Sequence, residues 1–318
     1  MLRPYEDRFP WSLDWTLLRT FMVVVEQRGV TRAADFLGLK QPTVSSALKR
    51  LEETMGHVLI IRRSNVFTVT PAGRRLYDQA SAIYGTVSQL PALMGAEEDE
   101  LHGHINLSLA SHVVSPHFDD VLARFGARHP RVSFAISVVE SGEVVNRVRQ
   151  NRASLGLCLL DKWPRDVECL PFMREYFGLF CGPRHRLFGR TDLGLADLAG
   201  EASVSFQTEI EGGPLQSVAR LRAQAGLASG ARGISSNLTE IRRMIISGIG
   251  IGALPLHVAQ RDVADGILWQ MPPIDGLPAV DIFLLSNPRR SQSRAELAFL
   301  GMCRDMLTET PVVDRTYA

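Results

Sequence analysis

The sequence of 318 residues lacks the short motifs that mark hydrolytic enzymes. It contains no GxSxG nucleophile elbow and no HExxH zinc-binding helix, so no nucleophile with its base can be named. His102 and His104 are close in sequence, but no cysteine or carboxylate completes a metal-binding set at the usual spacing. We therefore expect no catalytic residue, no metal and no cofactor, and we interpret these histidines as exposed linker residues.

A GxGxG run at Gly248, Gly250 and Gly252 does not indicate a dinucleotide site. The surrounding pattern predicts a helix before the run and a strand after it, whereas dinucleotide binding needs the strand first and the helix second. We predict instead that the helix stops at Gly248 and that a tightly packed strand follows.

Only four cysteines occur, at positions 158, 169, 181 and 303, and no two of them form a CxxC pair. This spacing favours reduced cysteines that pack in the interior. A redox sensor is the alternative, but it needs a thiol of low pKa and a second thiol within bonding range, and the sequence indicates neither.

Long apolar runs are also missing. The uncharged stretch at residues 244–260 is shorter than the ~20 apolar residues of a membrane span and contains glycine and proline. The first twelve residues have acidic residues and prolines where a signal peptide would be apolar, so we expect a loose tail. A cytoplasmic protein without a membrane partner is predicted.

What the sequence does contain, at residues 30–52, is the pattern of two short helices joined by a tight turn. We predict that Thr31 caps the first helix and that Gly38 ends it in a left-handed conformation. We predict Gln41 as the cap of the second helix and Pro42 as its first residue. The residues predicted to be buried are Ala33, Ala34, Phe36 and Leu37 in the first helix and Val44, Ala47, Leu48 and Leu51 in the second.

The opposite face of the second helix is polar and carries two cations, as a DNA-reading helix would. Short hydroxyl and amide side chains near a helix N-terminus can reach base edges in the major groove. The alternative is an ordinary amphipathic hairpin with a solvated polar face. The predicted DNA-contacting residues are Thr31, Gln41, Pro42, Thr43, Ser45, Ser46, Lys49, Arg50, Arg62 and Arg63.

The flanking segments favour the DNA-binding interpretation. Upstream, Asp14 is predicted to cap a helix that reaches about Gln27 and supplies the third helix of the domain. Downstream, two β-branched runs at residues 58–61 and 66–69 predict a two-stranded wing with a basic tip. The first 75 residues hold 12 basic and 7 acidic residues, and the remainder holds 23 and 27, so the basic end is the expected nucleic-acid end.

The N-terminal part of the chain resembles the N-terminal domain of LysR-type transcriptional regulators. The resemblance rests on the order of a helix, a turn, the segment QPTVSSALKRLE, a basic wing and TPAG at residues 70–73. The resemblance covers residues 13–73 without a gap. From the chemistry and position of the side chains we predict that Gln41, Thr43, Ser45 and Ser46 read bases and that Lys49, Arg50, Arg62 and Arg63 hold phosphates. One departure is in the wing, where the family usually has two arginines three residues apart and this chain has Arg62 and then Asn65.

A long helix is predicted to begin after Thr70, with Pro71 as its first residue. Apolar residues recur in two rows at heptad spacing, which is typical of a helix that pairs with another helix; the rows are Leu76, Ile83 and Leu90, and Ala80, Val87 and Met94. In the resembled family this helix pairs two subunits. Pro91 is expected to kink or end the helix, and the acidic residues 97–100 are expected to form a linker.

The remainder alternates between strand and helix patterns, which predicts parallel sheets covered by helices. Strands are predicted at residues 105–109, 132–138, 155–160, 176–181 and 280–285, and helices at 118–125 and 144–148, from Pro214, near Thr239 and at 297–307. The segments FGARHPRVSF, RHRLFG and ISSNLTEIRRMIISGIGIGALP are similar to the effector-binding half of LysR-type regulators, which has two Rossmann-like lobes of periplasmic-binding-protein type. Ser154 departs from the aspartate of many relatives.

The predicted fold is therefore α/β, with a winged helix-turn-helix, a long linker helix and two lobes. The predicted boundaries are 1–12 for the tail, 13–73 for the DNA-binding domain, 74–102 for the linker helix and hinge, 103–173 with 277–312 for lobe 1, and 174–276 for lobe 2.

Ligands in open α/β lobes bind beyond the carboxyl ends of strands, near helix N-termini. That rule gives the candidate effector residues Ser111, His112, Ser141, Gln207, Thr208 and Asn237, of which Ser111, Ser141 and Asn237 match cleft positions of the resembled family. An ordinary N-cap is the alternative for each of them. Hydroxyls and helix N-termini favour an anionic or polar metabolite, with His112 adding positive charge.

The sequence predicts a LysR-type regulator whose DNA binding changes when an effector binds. The expected partners are operator DNA, a small-molecule effector, a second copy through the linker helix within a homotetramer, and RNA polymerase. A periplasmic-type solute-binding protein and a constitutive DNA-binding protein are the alternatives, and an enzyme has no catalytic constellation to support it.

Overall fold

A computed structural model describes residues 13–63, 66–87, 101–228, 230–290 and 292–317. The chain divides into two compact units, residues 1–88 and 89–318. Several predictions lie outside the described residues: the N-terminal tail, the wing tip at Ser64 and Asn65, the break at Pro91 and the acidic linker at 97–100.

The described part of the first unit is built on three short helices, a hairpin and a longer helix. These are α1 (Trp15–Glu26), α2 (Val30–Leu37), α3 (Gln41–Met55), β1 (Ile60–Arg63), β2 (Val66–Val69) and α4 (Pro71–Val87). Their apolar faces meet in one core, where Phe21, Val44 and Leu48 are fully buried. Asp14 caps α1 by accepting from the Thr16 backbone N–H at 3.0 Å, as predicted.

Two predicted helix caps are wrong by one or two residues. Thr31 lies in the first turn of α2, because the helix already begins at Val30 after Gly29, which has no capping side chain. Lys40 rather than Gln41 is the N-cap residue of α3, so Pro42 is the second helical residue. Proline is tolerated there because the N–H groups of the first turn have no partner within the helix. Gly38 ends α2 in the left-handed conformation, with φ of 65°, as predicted.

Phe36 was predicted to be buried, but 66% of it is exposed. The helix has only eight residues, about two turns, so the face that it buries is small. Ala33 and Ala34 are its buried residues. In α4, Leu76 and Ala80 pack against the core of their own unit. The pairing of α4 with a second subunit therefore stays a prediction for the residues beyond Ala80.

The wing is an antiparallel hairpin in which Arg62 pairs with Phe67 and Arg63 with Val66. The prediction that both arginines belong to the tip is wrong, since the strand pairing extends to them. Gly73, the last residue of TPAG, lies against the backbone carbonyl of Leu59, where a Cβ would collide. The first turn of α4 can therefore approach the wing only with glycine at this position.

The second unit has the alternating order of an α/β domain. Its first half contains β3 (Gly103–Leu109), α5 (Pro116–Arg128), β4 (Val132–Val138), α6 (Ser141–Arg149), β5 (Leu155–Cys158) and β6 (Glu168–Cys181). Its second half contains β7 (Val204–Phe206), α7 (Gln216–Gln224), β8 (Gly233–Ser235), α8 (Leu238–Ile246), β9 (Gly252–Pro255), α9 (Leu256–Ala264), β10 (Trp269–Met271), β11 (Ala279–Ser286), α10 (Arg294–Glu309) and β12 (Thr316–Tyr317). Short 3-10 helices lie at Leu195–Leu198 and Val312–Arg315.

The sheets are mixed, so the prediction of parallel sheets is only partly right. In lobe 1 the order is β4-β3-β5-β11-β6, and β11 is antiparallel to both of its neighbours. In lobe 2, β9 and β10 run antiparallel to β6, while β7 and β8 are parallel to each other. Strand β11 enters lobe 1 from lobe 2, and β6 enters lobe 2 from lobe 1. Each of these two strands runs antiparallel to its neighbours in the lobe that it enters.

Strand β6 is a single strand of 14 residues, longer than the predicted segment 176–181. It pairs with β11 as far as Tyr176 and with β9 from Phe177 onward. The strand thus runs continuously from lobe 1 into lobe 2. The GxGxG run has the predicted position, since Gly248 follows α8 with φ of 77° and Gly252 begins β9.

Candidate functional site

The predicted DNA-reading side chains lie on the outer face of α3. Gln41, Thr43, Ser46, Lys49 and Arg50 are exposed, and Ser45 is half-buried. The inner face of the same helix is held by Val44, Leu48 and Leu51, which are fully buried. The helix therefore presents short hydrogen-bonding groups near its N-terminus and cations further along, as groove recognition requires.

A groove of about 560 Å³ separates the N-terminal end of α1 from α3. Pro42, Thr43, Ser46 and Arg50 line it, together with Thr16 from α1. Arg50 is also 3.6 Å from the carboxylate of Asp14, which links the two helices. The sequence indicated Asp14 only as a cap, so the placement of Thr16 and Asp14 beside the reading helix was not predicted.

The remaining DNA candidates come from neighbouring elements of the same unit. Thr31 is exposed in the first turn of α2, and Arg62 and Arg63 occupy the last two positions of β1. A helix-turn-helix commonly contacts the DNA backbone through its first helix and its wing while its second helix enters the groove.

The second candidate site lies where lobe 1 meets lobe 2, beyond the carboxyl end of β3. The Ser111 hydroxyl donates to the Ser236 carbonyl at 3.0 Å and accepts from the Leu238 backbone N–H at 3.0 Å. Leu238 is the first residue of α8, so a lobe 1 side chain occupies one of the free N–H groups of a lobe 2 helix. Ser111 is therefore a direct link between the lobes.

His112 is buried, with 4% of its surface exposed, and its ring centroid is 6.2 Å from that of Phe206 in lobe 2. Its Nδ1 atom has no hydrogen-bond partner among the described residues. Burial, with a smaller contribution from His257, lowers the pKa of His112 from 6.5 to about 4. The predicted positive charge is wrong for neutral pH, because the site disfavours the imidazolium; His112 is a neutral hydrogen-bonding group there.

The other four candidates differ in their surroundings. Asn237 caps α8 by accepting from the Thr239 backbone N–H at 2.8 Å, which is the ordinary capping role. Ser141 is buried as the first residue of α6. Gln207 is exposed and Thr208 half-buried in the turn after β7. The structure brings Ser111 and His112 together with Phe206 and the start of α8.

Two ionisable residues of this region were not predicted. Glu209, only 1% exposed, lies 3.2 Å from the Arg222 guanidinium and accepts from the Phe206 backbone N–H at 3.3 Å. Burial raises the pKa of Glu209 to about 7, although Arg222 and that hydrogen bond lower it. His257 of α9 bonds the Val114 carbonyl of lobe 1 at 3.0 Å and is a second link between the lobes. No local pattern distinguishes either residue in the sequence.

The cysteines are all buried and free of disulfide bonds. Burial raises the pKa of Cys169 to about 11 and the pKa of Cys303 to about 12. A thiolate is the reactive form of cysteine, so these environments oppose a thiol-based sensor. Among the described residues there is no group of three metal-ligating side chains, and no helix is long and apolar enough to cross a membrane.

Comparison with known families identifies both units. Residues 15–74 match the description "Bacterial regulatory helix-turn-helix protein, lysR family", and residues 98–308 match "LysR substrate binding domain". The chain belongs to the LysR family of transcriptional regulators. The predicted resemblance is thus confirmed, together with a fold that joins a helix-turn-helix domain to a two-lobed substrate-binding domain.

Individual relatives extend over most of this LysR-type regulator. It is 30% identical over 259 residues to the HTH-type transcriptional regulator CfxR of Cupriavidus necator, covering 80% of each chain. It is 26% identical over 249 residues to CysL of Bacillus subtilis, covering 78% of this chain and 83% of CysL. Full-length CbnR complexed with its target DNA has the same fold, with a TM-score of 0.62 at 18% identity over 92% of this chain and all of that one. Both of these relatives are HTH-type transcriptional regulators.

Proposed function

We propose that this LysR-type regulator reads operator DNA with α3 and that a small polar or anionic effector controls this reading by binding between the two lobes. The observation that carries the proposal is the link from Ser111 to the N-terminus of α8. A ligand with an oxygen anion or carbonyl would compete for the Leu238 N–H group, because helix N-termini attract negative charge. Such a ligand would replace a contact that joins the lobes.

The neutral state of His112 adds to the description of the effector. A buried neutral imidazole offers one donor and one acceptor, and its Nδ1 atom lacks a partner among the described residues. Glu209 is close in sequence to Phe206 and Thr208 and is buried. Its carboxyl group disfavours a second negative charge close to it. The proposed effector therefore places its anionic end at Ser111 and α8 and hydrogen-bonding groups toward His112.

The proposed mechanism couples two equilibria. Effector binding shifts the arrangement of the lobes, and that shift changes how subunits pack and how far apart their DNA-reading units lie. The supporting observations are a polar outer face on α3 and the structural likeness to CbnR in complex with DNA. Pairing of two chains through the helix that follows Thr70, a homotetramer and contact with RNA polymerase are parts of the same proposal.

Base reading and phosphate holding are separable by mutation. Ser46→Ala and Thr43→Ala are expected to relax sequence preference, with a loss of about 1–3 kcal/mol on the preferred operator and little on unrelated DNA. Arg62→Ala is expected to weaken all DNA similarly and to reduce the salt dependence by about one phosphate contact. Selection from random DNA would supply the operator, and fluorescence anisotropy at several salt concentrations would measure both effects.

The control for these variants is Arg124→Ala, which changes an exposed arginine of α5 in the second unit. It should leave operator affinity and salt dependence unchanged. A uniform loss across specific and unrelated DNA in the Ser46 and Thr43 variants would contradict base reading and would favour a constitutive, unspecific DNA-binding protein.

Effector control is tested at Ser111. A thermal-shift screen of metabolites against the full chain should find a stabilising ligand, since binding to the folded state raises its stability. Ser111→Ala is expected to weaken that ligand about tenfold, because a hydrogen bond to a charged group is lost. Ser133→Ala, at the amino end of β4 and therefore away from the cleft, is the matched control. Operator footprints with and without the ligand then measure coupling, and unchanged footprints at saturating ligand would contradict the proposal.

A further inference from the structure

A second cavity lies at the opposite edge of lobe 1 from the cleft. It has a volume of about 530 Å³ and is bounded by the start of β3, the end of α5, the α5–β4 turn and one face of α10. Ser111 follows the carboxyl end of β3, whereas this cavity adjoins the amino end of the same strand. Its size is within the range of small-molecule sites, and it shares no lining residue with the cleft.

The rim of this cavity is strongly basic. Arg128, Arg131 and Arg294 come from three different elements, and Asp305 is the acidic residue among those that line it. Several other arginines in this unit pair closely with carboxylates, as Arg124 does with Asp120 at 2.8 Å. Among the described residues, Arg128 and Arg294 have no such partner. The guanidinium groups of Arg128 and Arg294 are therefore available for a carboxylate or a phosphate, which arginine can bind through two parallel hydrogen bonds.

The floor of the cavity is apolar. Leu101, Ala298 and Met302 line it, and Gly301 opens the face of α10 between them. A Cβ atom built on Gly301 would meet no atom within 4 Å, so the space beside this glycine belongs to the cavity rather than to the packed core. A ligand that fits both parts would carry one anionic group for the arginines and a small apolar group for the floor.

We propose that this cavity is a second ligand site, distinct from the cleft between the lobes, that binds a small organic anion with an apolar part. The arginines hold the carboxylate or phosphate, and the apolar part rests on Leu101, Ala298 and Met302. The site adjoins the point at which the chain enters β3 from the segment that follows α4.

Phenyl phosphate is the probe for this site, because it combines a phosphate with an apolar ring. Titration calorimetry on the full chain is expected to show binding that weakens at least tenfold in the Arg128→Gln/Arg294→Gln double variant. Gly301→Leu should weaken it similarly by filling the cavity. Gly301→Ala and Arg124→Gln, the latter on the same helix as Arg128, should bind like the unmodified chain. Thermal unfolding of each variant shows whether the fold is retained.

Three results would overturn the proposal. Inorganic phosphate binding as tightly as phenyl phosphate would show that the apolar floor is unused. A loss of affinity for phenyl phosphate in Ser111→Ala would show that the probe occupies the cleft. An unchanged affinity supports a separate site, and this result does not depend on whether the cleft binds an effector. Binding that occurs only after Glu97, Glu98, Asp99 and Glu100 are changed to amides would show that the occupant is the chain's own acidic segment.

Discussion

Replacing Glu296 with alanine is expected to destabilise lobe 1 by about 3–5 kcal/mol, because it leaves the buried Arg290 guanidinium without its counterion. The two side chains are almost fully buried, and Arg290 donates to the Glu296 carboxylate at 2.5 Å. Glu296 also accepts from the Ser293 backbone N–H at 2.8 Å and so completes the cap of α10. Hydrogen exchange of peptides from α10, measured by mass spectrometry in urea, reports the local free energy of unfolding.

The matched control is Glu240→Ala, which removes an exposed partner of Arg243 on α8. It should cost at most about 1 kcal/mol, as expected for a surface ion pair. The double variant Arg290→Met/Glu296→Leu should recover much of the loss, since no charge is then buried alone. A loss below about 1 kcal/mol in Glu296→Ala would show that water or another group compensates Arg290.

The same cluster accounts for Ser154, the position where the family resemblance implies aspartate. The Ser154 hydroxyl donates to Glu296 at 2.5 Å and accepts from the Asn106 backbone N–H at 3.0 Å. An aspartate at this position would set a second carboxylate against Glu296, and two adjacent carboxylates disfavour each other's ionised form. In this chain Glu296 supplies the negative charge for Arg290, and serine is the residue that can donate a hydrogen bond to it.

Local periodicity was enough to predict α1 and α3 and the faces they bury. Val44, Leu48 and Leu51 recur at helical spacing, and the opposite face is polar, so the helix and its exposed surface follow from the sequence. The caps of α2 and α3 did not follow, because the residue at which a helix begins depends on how the preceding turn packs. Phe36 did not follow either, since two helical turns are too short to distinguish a buried edge from an exposed one.

Long-range contacts explain what the sequence did not predict in the second unit. Strand β6 contains Pro171, Arg174 and Glu175, which interrupt the alternating pattern of a strand, yet its pairing with β11 and β9 keeps it continuous. His257 and Val114 are separated by 143 positions but meet at the junction of the lobes. The burial of Glu209 likewise depends on packing around Phe206 and Arg222. The rule that ligands bind beyond the carboxyl ends of strands predicted the junction between the lobes as the candidate site, but it did not predict these contacts.

Acidification is expected to destabilise the lobe junction through His112 and to stabilise it through Glu209. The pKa of His112 falls from 6.5 to about 4 on folding, so the unfolded chain binds its proton more readily and stability is lost as the pH falls from 6.5 toward 4. The pKa of Glu209 rises from 4.5 to about 7 on folding, so its contribution is present at low pH and is lost as the pH rises from 4.5 toward 7.

Between pH 7.5 and pH 5.0 each group should change the free energy of unfolding by about 2 kcal/mol, in opposite directions. The two effects largely cancel in the unmodified chain. His112→Gln should therefore gain about 2 kcal/mol on acidification relative to the unmodified chain, and Glu209→Gln should lose about as much. Urea unfolding of both variants at the two pH values, followed by hydrogen exchange in α8, measures this difference. Identical pH dependence in the two variants would contradict the assigned environments, because only opposite protonation preferences separate them.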